Sequence, residues 1–511
     1  MKRKLFLTRG ISIAVSLFLL IGMLTGCHTD IPDSSSQTTS LTSISQTSTT
    51  KSLEATDPQS ETTVDSSTTG SVSTTTTSNI TGKITTTTAA TTTNKLDKQS
   101  ANKTSIEEYT IIYNKNGLWD VYAATFLAQY LKKRTGKTIK INDDIAKPTE
   151  REILVGSTNR EESKAAARIN LKNGQYTVYE ANGRVVLYGA DIGVIYAVSD
   201  YINKYVKSWS PPIHDGFSTT AKATNFTFAK AKNTILMIGD GMGPQQVAYA
   251  RTFGKFYADS FPNKGEIITG SKSGVTDSAA AGTALSSGYK TLNGYLGMDS
   301  NKTAHKNIRE LAYEKGYRTA VLTNDKTYGA TPAAFTVHTS SRNNTQEIQN
   351  QQMALKTQGK IYFLRGNESF KDAAFKDNLI QALNLISKDG KNFFIMSEEA
   401  KIDTAGHNNS LNSLKEAMLR FNDCIAYAAV FTACTPGTVL IVTADHETGG
   451  LTRSENGEFK FTSGNHTGVN VLVFAMGSGT EYFNGKTYQN TEIAKFMARI
   501  LGEDDFGSAA A

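Results

Sequence analysis

His407, His446 and His466 are three of only seven histidines in the chain, and each stands among acids or glycines near a predicted strand end. His407 follows Asp403 by four residues in Glu398-Glu399-Ala400-Lys401-Ile402-Asp403-Thr404-Ala405-Gly406-His407. Asp445 and His446 adjoin in Thr443-Ala444-Asp445-His446-Glu447-Thr448-Gly449-Gly450, and His466 lies in Ser463-Gly464-Asn465-His466-Thr467-Gly468. Asp240 sits in Ile238-Gly239-Asp240-Gly241-Met242-Gly243, where flanking glycines let the backbone turn sharply and bring a carboxylate close to a ligand. One such histidine is ordinarily structural, and an Asp in a glycine turn is ordinarily just a turn. Three of each at successive strand ends make a different pattern. Imidazole and carboxylate without thiolate are what a catalytic zinc site uses when it keeps one position open. Six ligands suffice for two ions, and ions about 3.5–4 Å apart can clamp both the attacking and the leaving oxygen of a phosphoryl group.

A hydroxyl that could attack lies in Gly274-Val275-Thr276-Asp277-Ser278-Ala279-Ala280-Ala281-Gly282-Thr283-Ala284. Small residues after Ser278 predict a closely packed helix with Ser278 at its amino end, where free N–H groups and the helix dipole favour an anion. A serine that only caps the helix has the same appearance. A nearby dication can lower the hydroxyl pKa enough for Ser278 to attack phosphorus and form a phosphoserine.

These residues need strands to position them. From residue 233 apolar strands at 234–238, 318–322, 392–396, 439–442 and 471–475 alternate with helical stretches, which predicts an α/β fold: a mostly parallel sheet with helices on both faces. In such sheets function collects beyond the carboxyl ends of the strands. Ahead of it, residues 105–205 read as a small α/β accessory domain. Its expected elements are a strand at 109–113, a helix at 121–133 stopped by Gly136, a strand at 152–155, a helix at 161–168, a hairpin of 176–180 and 185–188 turning on Asn182-Gly183, and a helix at 192–204. Residues 206–232, with Pro211-Pro212, read as a connector, and 233–511 as the catalytic domain. The small domain shows no catalytic cluster. Ile153-Leu154-Val155-Gly156 and Gly189-Ala190-Asp191-Ile192-Gly193-Val194-Ile195-Tyr196-Ala197 resemble the accessory domain that precedes some glycoside hydrolase catalytic domains, which implies packing, or contact with glycan or cell wall.

Residues 1–27 open with Lys2, Arg3, Lys4 and Arg9 and continue into an apolar run from Ile11 to Leu24. That run is too short for a spanning helix of roughly 20 residues and reads as a secretory signal. Leu24-Thr25-Gly26-Cys27 resembles a bacterial lipobox, which implies a lipidated Cys27 and an anchor on the extracellular face of the cell membrane. From Ser34 to Thr93, 37 of 60 residues are Ser or Thr, so 28–104 cannot offset the entropy of ordering and reads as a disordered linker. The net charge is +7, of which the signal's four basic residues supply four, leaving about +3. Nucleic-acid binding is excluded on this ground, since it requires a clustered basic face. Beyond Cys27 only Cys424 and Cys434 occur, and no CxxC offers a thiolate zinc site. A bridge between them is open, although Cys424 shares an apolar helical stripe with Met418, Phe421 and Ile425 that favours simple burial.

Taken together, Asp240 in its glycine turn, Thr276-Asp277-Ser278-Ala279-Ala280, Ala330-Thr331-Pro332-Ala333-Ala334, Ser341-Arg342, Asp403 with His407, Thr443-Ala444-Asp445-His446-Glu447 and Asn465-His466-Thr467-Gly468 resemble the motifs of the alkaline phosphatase family, in that family's order over residues 233–501. The resemblance implies a metal-dependent phosphomonoesterase with two Zn2+ and one Mg2+. It implies that Asp403, His407 and His466 hold the first zinc, and that Asp240, Asp445 and His446 hold the second beside the nucleophile Ser278. Magnesium would take Asp240 again with Thr331 and Glu398, oxygen ligands that suit a harder ion. Arg342 would clamp two nonbridging phosphate oxygens with its planar fork.

Two positions depart from the family pattern. Gly329 stands where other members carry Asp or His near magnesium, and Thr404 where others carry Lys, His or Trp, so both places are expected to open to water. The short spacing from His446 to His466 implies a compact enzyme. Competing readings are a phosphodiesterase or phosphonate hydrolase with the same two-zinc core, and a surface glycan-binding protein with an inert phosphatase fold. A sulfatase fits less well, because Ser278 lacks the Pro and Arg context of that nucleophile. A homodimer is left open.

Overall fold

The computed structural model describes residues 106–207, 218, 220–365 and 372–508. The signal, the lipobox cysteine, the Ser/Thr-rich linker and Pro211-Pro212 lie outside the described residues.

The first sheet contains β1 (Thr110–Tyr113), β2 (Lys140–Asp143), β3 (Glu152–Val155), β4 (Tyr176–Ala181) and β5 (Arg184–Gly189) in the order β2-β1-β3-β5-β4. All pairs are parallel except the β4–β5 hairpin. Its two-residue loop is the expected one, with Asn182 and Gly183 both at positive φ, as a type I′ turn requires. The helix Asp120–Thr135 ends at left-handed Gly136. The expected 192–204 helix is α-helical over Gly193–Asp200 and continues as a π-helical stretch over Tyr201–Val206. β2 escaped the sequence reading because its side chains are almost all exposed, so no apolar pattern marks it.

The second sheet contains β6 (Asn233–Gly239), β7 (Asn263–Ile268), β8 (Arg318–Thr323), β9 (Tyr362–Arg365), β10 (Phe393–Glu399) and β11 (Thr438–Thr443). The chain then forms the short ladders β12 (Glu447–Thr448) with β15 (His466–Thr467) and β13 (Thr452–Arg453) with β14 (Phe459–Lys460), and completes the large sheet with β16 (Val471–Met476) and β17 (Thr487–Gln489). The large sheet runs β17-β7-β16-β11-β6-β10-β8-β9. The five consecutive strands β11, β6, β10, β8 and β9 are parallel, while β16 is antiparallel to both neighbours. β6, β10 and β11 are buried along their whole length, the continuous apolar pattern of parallel strands covered on both faces. β7 and β17 carry polar, partly exposed residues near one edge, and β9 forms the other edge. β7 and β17 were not visible as apolar runs, while β9, which is short and apolar at Tyr362-Phe363-Leu364, was overlooked.

The helix Leu411–Cys434 joins the two layers. Phe126 of the first layer packs on Tyr427 and Phe431 of this helix, and the Ser199 hydroxyl donates to the Ala433 carbonyl at 2.5 Å. Cys424 and Cys434 are buried in it as free thiols, so simple burial accounts for both.

At the carboxyl ends of β1 and β3, Asp120 is 4% exposed and wedged between Gly117 and Gly156, where any Cβ would collide with its carboxylate. Burial pushes its pKa up to about 7, against a backbone N–H of Ser157 that lowers it. The unfolded chain therefore ionises first, and folding stability falls as pH rises from about 4 to about 7 and then levels off. Asp120→Asn is expected to remove this slope, raising the melting temperature relative to the parent at pH 8 but not at pH 4; equal melting curves at both would exclude it.

Candidate active site

Parallel strands place their carboxyl ends on one edge of the sheet, and that edge carries the chemistry. β6 delivers Asp240, β10 delivers Glu398, and β11 delivers Asp445 and His446. β10 runs further than expected, so Glu398 and Glu399 lie within the strand. Gly241, at φ +76, allows the turn after Asp240 to press on Asp403; a Cβ there would approach the Asp403 Cα within 2.8 Å. His407 ends the helix Lys401–His407, where the four-residue spacing puts it on one face with Asp403. His466 begins β15, whose pairing with β12 returns it beside His446; the two rings stack with centroids 3.6 Å apart.

Two groups of ligand atoms result. Those of Asp240, Asp445 and His446 lie within 4.8 Å of one another, as do those of Asp403, His446 and His466. His407 Nε2 lies 3.3 Å from Asp403 Oδ2 and 3.3 Å from His466 Nε2. His446 is thus shared between the groups.

The hydrogen bonds fix what these atoms can bind. His407 Nδ1 is 2.7 Å from the Gly464 carbonyl and His466 Nδ1 is 2.9 Å from the Thr276 carbonyl. A carbonyl only accepts, so each Nδ1 carries a proton, and each ring, when neutral, presents a lone pair at Nε2. Those lone pairs face each other at 3.3 Å. Only a proton or a cation reconciles them, and two nitrogens bound tetrahedrally at the usual zinc distance would stand about 3.4 Å apart. His446 obeys the same logic. Thr448 donates to Asp403 Oδ1 at 2.6 Å and faces His446 Nδ1 at 3.2 Å, which leaves Nε2 open. That Nε2 is 3.1 Å from Ser278 Oγ, 3.2 Å from Asp445 Oδ2 and 3.5 Å from Asp240 Oδ1. Both carboxylate oxygens are buried without a hydrogen-bond donor.

Electrostatics agree. Burial, then the charges of Asp445, Asp403 and Glu398, push the Asp240 carboxyl well above the ordinary range. Burial raises Glu398 to about 8, opposed by its hydrogen bond from Thr323. Asp403 moves the other way: burial raises it, but in the absence of a cation the His407 and His466 rings take a second proton and donate it from Nε2 to Asp403, and with the hydrogen bond from Thr448 this brings it below the usual range. Thr331 completes the third group, its hydroxyl 3.4 Å from Asp240 Oδ2. The residues therefore fit divalent ions: acids crowd together, and their open lone pairs converge.

Ser278 opens the helix Ser278–Ser287, but the cap is Asp277, whose Oδ1 accepts the Ala280 N–H at 2.9 Å. Asp277 Oδ2 also binds Arg342 Nη1 at 3.1 Å and the Gly294 N–H at 3.0 Å. Asp277 thus fixes both the serine and the arginine, a role its position as N-cap could have suggested. Gly282 lets this helix approach the helix Ala330–Ala334 that carries Thr331, for its added Cβ would lie 2.9 Å from that of Ala334. Glu447 was also missed. Its buried carboxylate accepts Gln246 Nε2 at 2.6 Å, the Thr467 hydroxyl at 2.5 Å and the N–H groups of Leu451 and Gly450, pinning the loop between His446 and His466. Gly329 offers no ligand at the cap of the Thr331 helix, and Thr404 turns its hydroxyl onto Ala400 of its own helix.

A mostly parallel α/β sheet whose carboxyl edge gathers imidazoles and carboxylates around one serine defines a metal-centred α/β protein. Residues 231–363 and 361–461 match the family model described as alkaline phosphatase, a little under half of the chain. Alkaline phosphatase 4 of Bacillus subtilis (strain 168) is 30% identical over 298 residues, 45% of this chain and 64% of that protein. Alkaline phosphatase 3 of the same organism is 28% identical over 301 residues with the same coverage. The chain therefore spans a little under two thirds of the length of these relatives. A solved alkaline phosphatase from the Antarctic bacterium TAB5 is 29% identical, covering 54% of this chain and 99% of that one, with a TM-score of 0.49.

Without cations, the raised carboxyls of Asp240 and Glu398 take up protons on folding, so the metal-free protein loses stability as pH rises from about 4 towards 8. Chelator-treated protein is expected to melt below the protein supplied with zinc and magnesium, with a wider gap at pH 8 than at pH 6. Identical melting with and without chelator at pH 8 would contradict metal binding here.

Proposed function

We propose that the protein is a phosphomonoesterase that transfers the phosphoryl group of a phosphate monoester to Ser278 and then to water. The reading is carried by one juxtaposition: Ser278 Oγ, at a helix amino end, stands 3.1 Å from the inward-facing His446 nitrogen among donorless carboxylates. The match of residues 231–461 to the alkaline phosphatase family model supports the monoester as substrate class.

Two Zn2+, one held by Asp403, His407 and His466 and one by Asp240, Asp445 and His446, with Mg2+ at Asp240, Thr331 and Glu398, would supply the Lewis acidity that activates oxygen nucleophiles and offsets leaving-group charge. The chain's own residues do the rest. The N–H groups opening the Ser278–Ser287 helix favour the phosphate dianion. Arg342, held by Asp277 but about a third exposed, offers its free donors to two nonbridging oxygens. The Ser278 Oγ–P bond forms as the ester P–O bond breaks and the alcohol departs. Water then attacks phosphorus, the Oγ–P bond breaks, and inorganic phosphate leaves with Ser278 restored. Thr448, donating to Asp403 and accepting from His446, keeps the two ligand groups in register.

We also propose that lipidated Cys27 holds the enzyme at the outer face of the membrane, supported by the basic and apolar leader and by Leu24-Thr25-Gly26-Cys27. Cys27→Ser is expected to release the protein from the membrane fraction; retention there would remove this proposal.

Hydrolysis of an aryl phosphate tests the activity. Ser278→Ala is expected to lower kcat by on the order of 10^3-fold or more, and quenching at low pH should map the trapped phosphate to Ser278. Arg342→Ala is expected to weaken transition-state stabilisation by about 1.5–3 kcal/mol, roughly 10- to 100-fold in kcat/KM. Activity that survives both chelation and Ser278→Ala would refute the proposed chemistry.

A further inference from the structure

One residue beyond Glu398, β10 ends in a second carboxylate that the reaction leaves unused. The Glu399 side chain is fully buried, and Arg420 of the helix Leu411–Cys434 grips it with both arms, Nε to Oε2 and Nη2 to Oε1, each at 2.7 Å. Asn324 Nδ2 and the Lys401 N–H complete the shell at 2.6 and 3.1 Å. A buried ion pair is a weak source of stability, because desolvation offsets much of its attraction and apolar replacements are often neutral. Its value is better sought in what it holds still.

Successive side chains of a strand point to opposite faces, so Glu398 faces the metal ligands while Glu399 faces away toward Arg420. The pair also ties three elements together. Asn324, at the end of β8, donates to Glu399 and accepts the Ala400 N–H at 2.9 Å, while the Glu399 backbone carbonyl accepts the Asp240 N–H at 3.1 Å. The backbone carrying Glu398 and the backbone carrying Asp240 are thereby locked to one anchor. These two acids are buried beside Asp445 and repel one another, so flexible supports would let them separate. Arg420 also cancels the charge of Glu399, which would otherwise add to that repulsion.

We propose that Arg420 and Glu399 are positioning residues that pre-form the oxygen-only site of Asp240, Thr331 and Glu398 for Mg2+, a role that rests on the metal-dependent phosphatase reading above. The test compares the parent, Arg420→Lys and the double variant Glu399→Met/Arg420→Met by thermal melting, calorimetric Mg2+ titration and aryl phosphate kinetics. The double variant is expected to melt within a few degrees of the parent yet bind Mg2+ about 10- to 100-fold more weakly, the usual cost of losing a ligand's support. Its kcat should fall at low Mg2+ and recover at high Mg2+, with KM unchanged. Arg420→Lys, which keeps the charge but not the fork, should lie between. Mg2+ affinity within twofold of the parent in both variants would overturn the proposal, and if the double variant fails to fold, the affinity of Arg420→Lys decides alone. A parent that binds no Mg2+ or hydrolyses no ester would instead defeat the underlying functional reading.

Discussion

Four carboxylates, those of Asp240, Glu398, Asp403 and Asp445, are forced together at the carboxyl edge of one sheet, and most of the layer built on the eight-stranded sheet answers to that constraint. Water is largely excluded, so their repulsion is screened weakly. Apart from the imidazoles beside Asp403, the protein places no positive group against them among the described residues. The three nearby imidazoles are committed through their Nδ1 protons, so each turns only Nε2 inward, where a cation can take the place of a second proton. Cations are the missing counterpart, and the fold pre-pays the cost of assembling their ligands.

The same edge explains the position of the proposed nucleophile. Ser278 is not on a strand of the central sheet; it is brought there by a helix of small residues that lies close to the Thr331 helix. Asp277 then does three things at once, capping the helix, bonding Gly294 and orienting Arg342. Glu447 plays a comparable part on the opposite side, where one buried carboxylate keeps β12 beside β15 and hence His446 beside His466. In both cases a carboxylate outside the proposed chemistry fixes residues placed within it.

Much of this was legible along the chain. The parallel strands were visible because strands buried on both faces must be continuously apolar, as Thr234 to Ile238 and Val439 to Val442 are. The ligands were visible because histidines are scarce and stand against acids and glycines just beyond those runs. β2, β7 and β17 were not, since exposed or edge strands obey no strong apolar pattern. Nor was the scaffold of the site: in sequence, Glu399 looks like a duplicate of Glu398, and Arg420 like any charge on a long helix. Only strand alternation and a helix from far along the chain give the two acids opposite environments.

By itself the sequence determined the inventory: an α/β succession, a serine opening a small-residue helix, and acids and imidazoles beyond apolar strands. Chemistry of that kind is local, because residue type and near neighbours decide what a side chain can bind. The tertiary structure alone decided which ligands share a point in space, with His446 common to both groups and His407 meeting His466 nitrogen to nitrogen. It also decided which charges stay buried and paired, as in Glu399 with Arg420. Convergence depends on strand order and on turns as tight as that at Gly241, and these come from packing across the whole domain rather than from any one segment.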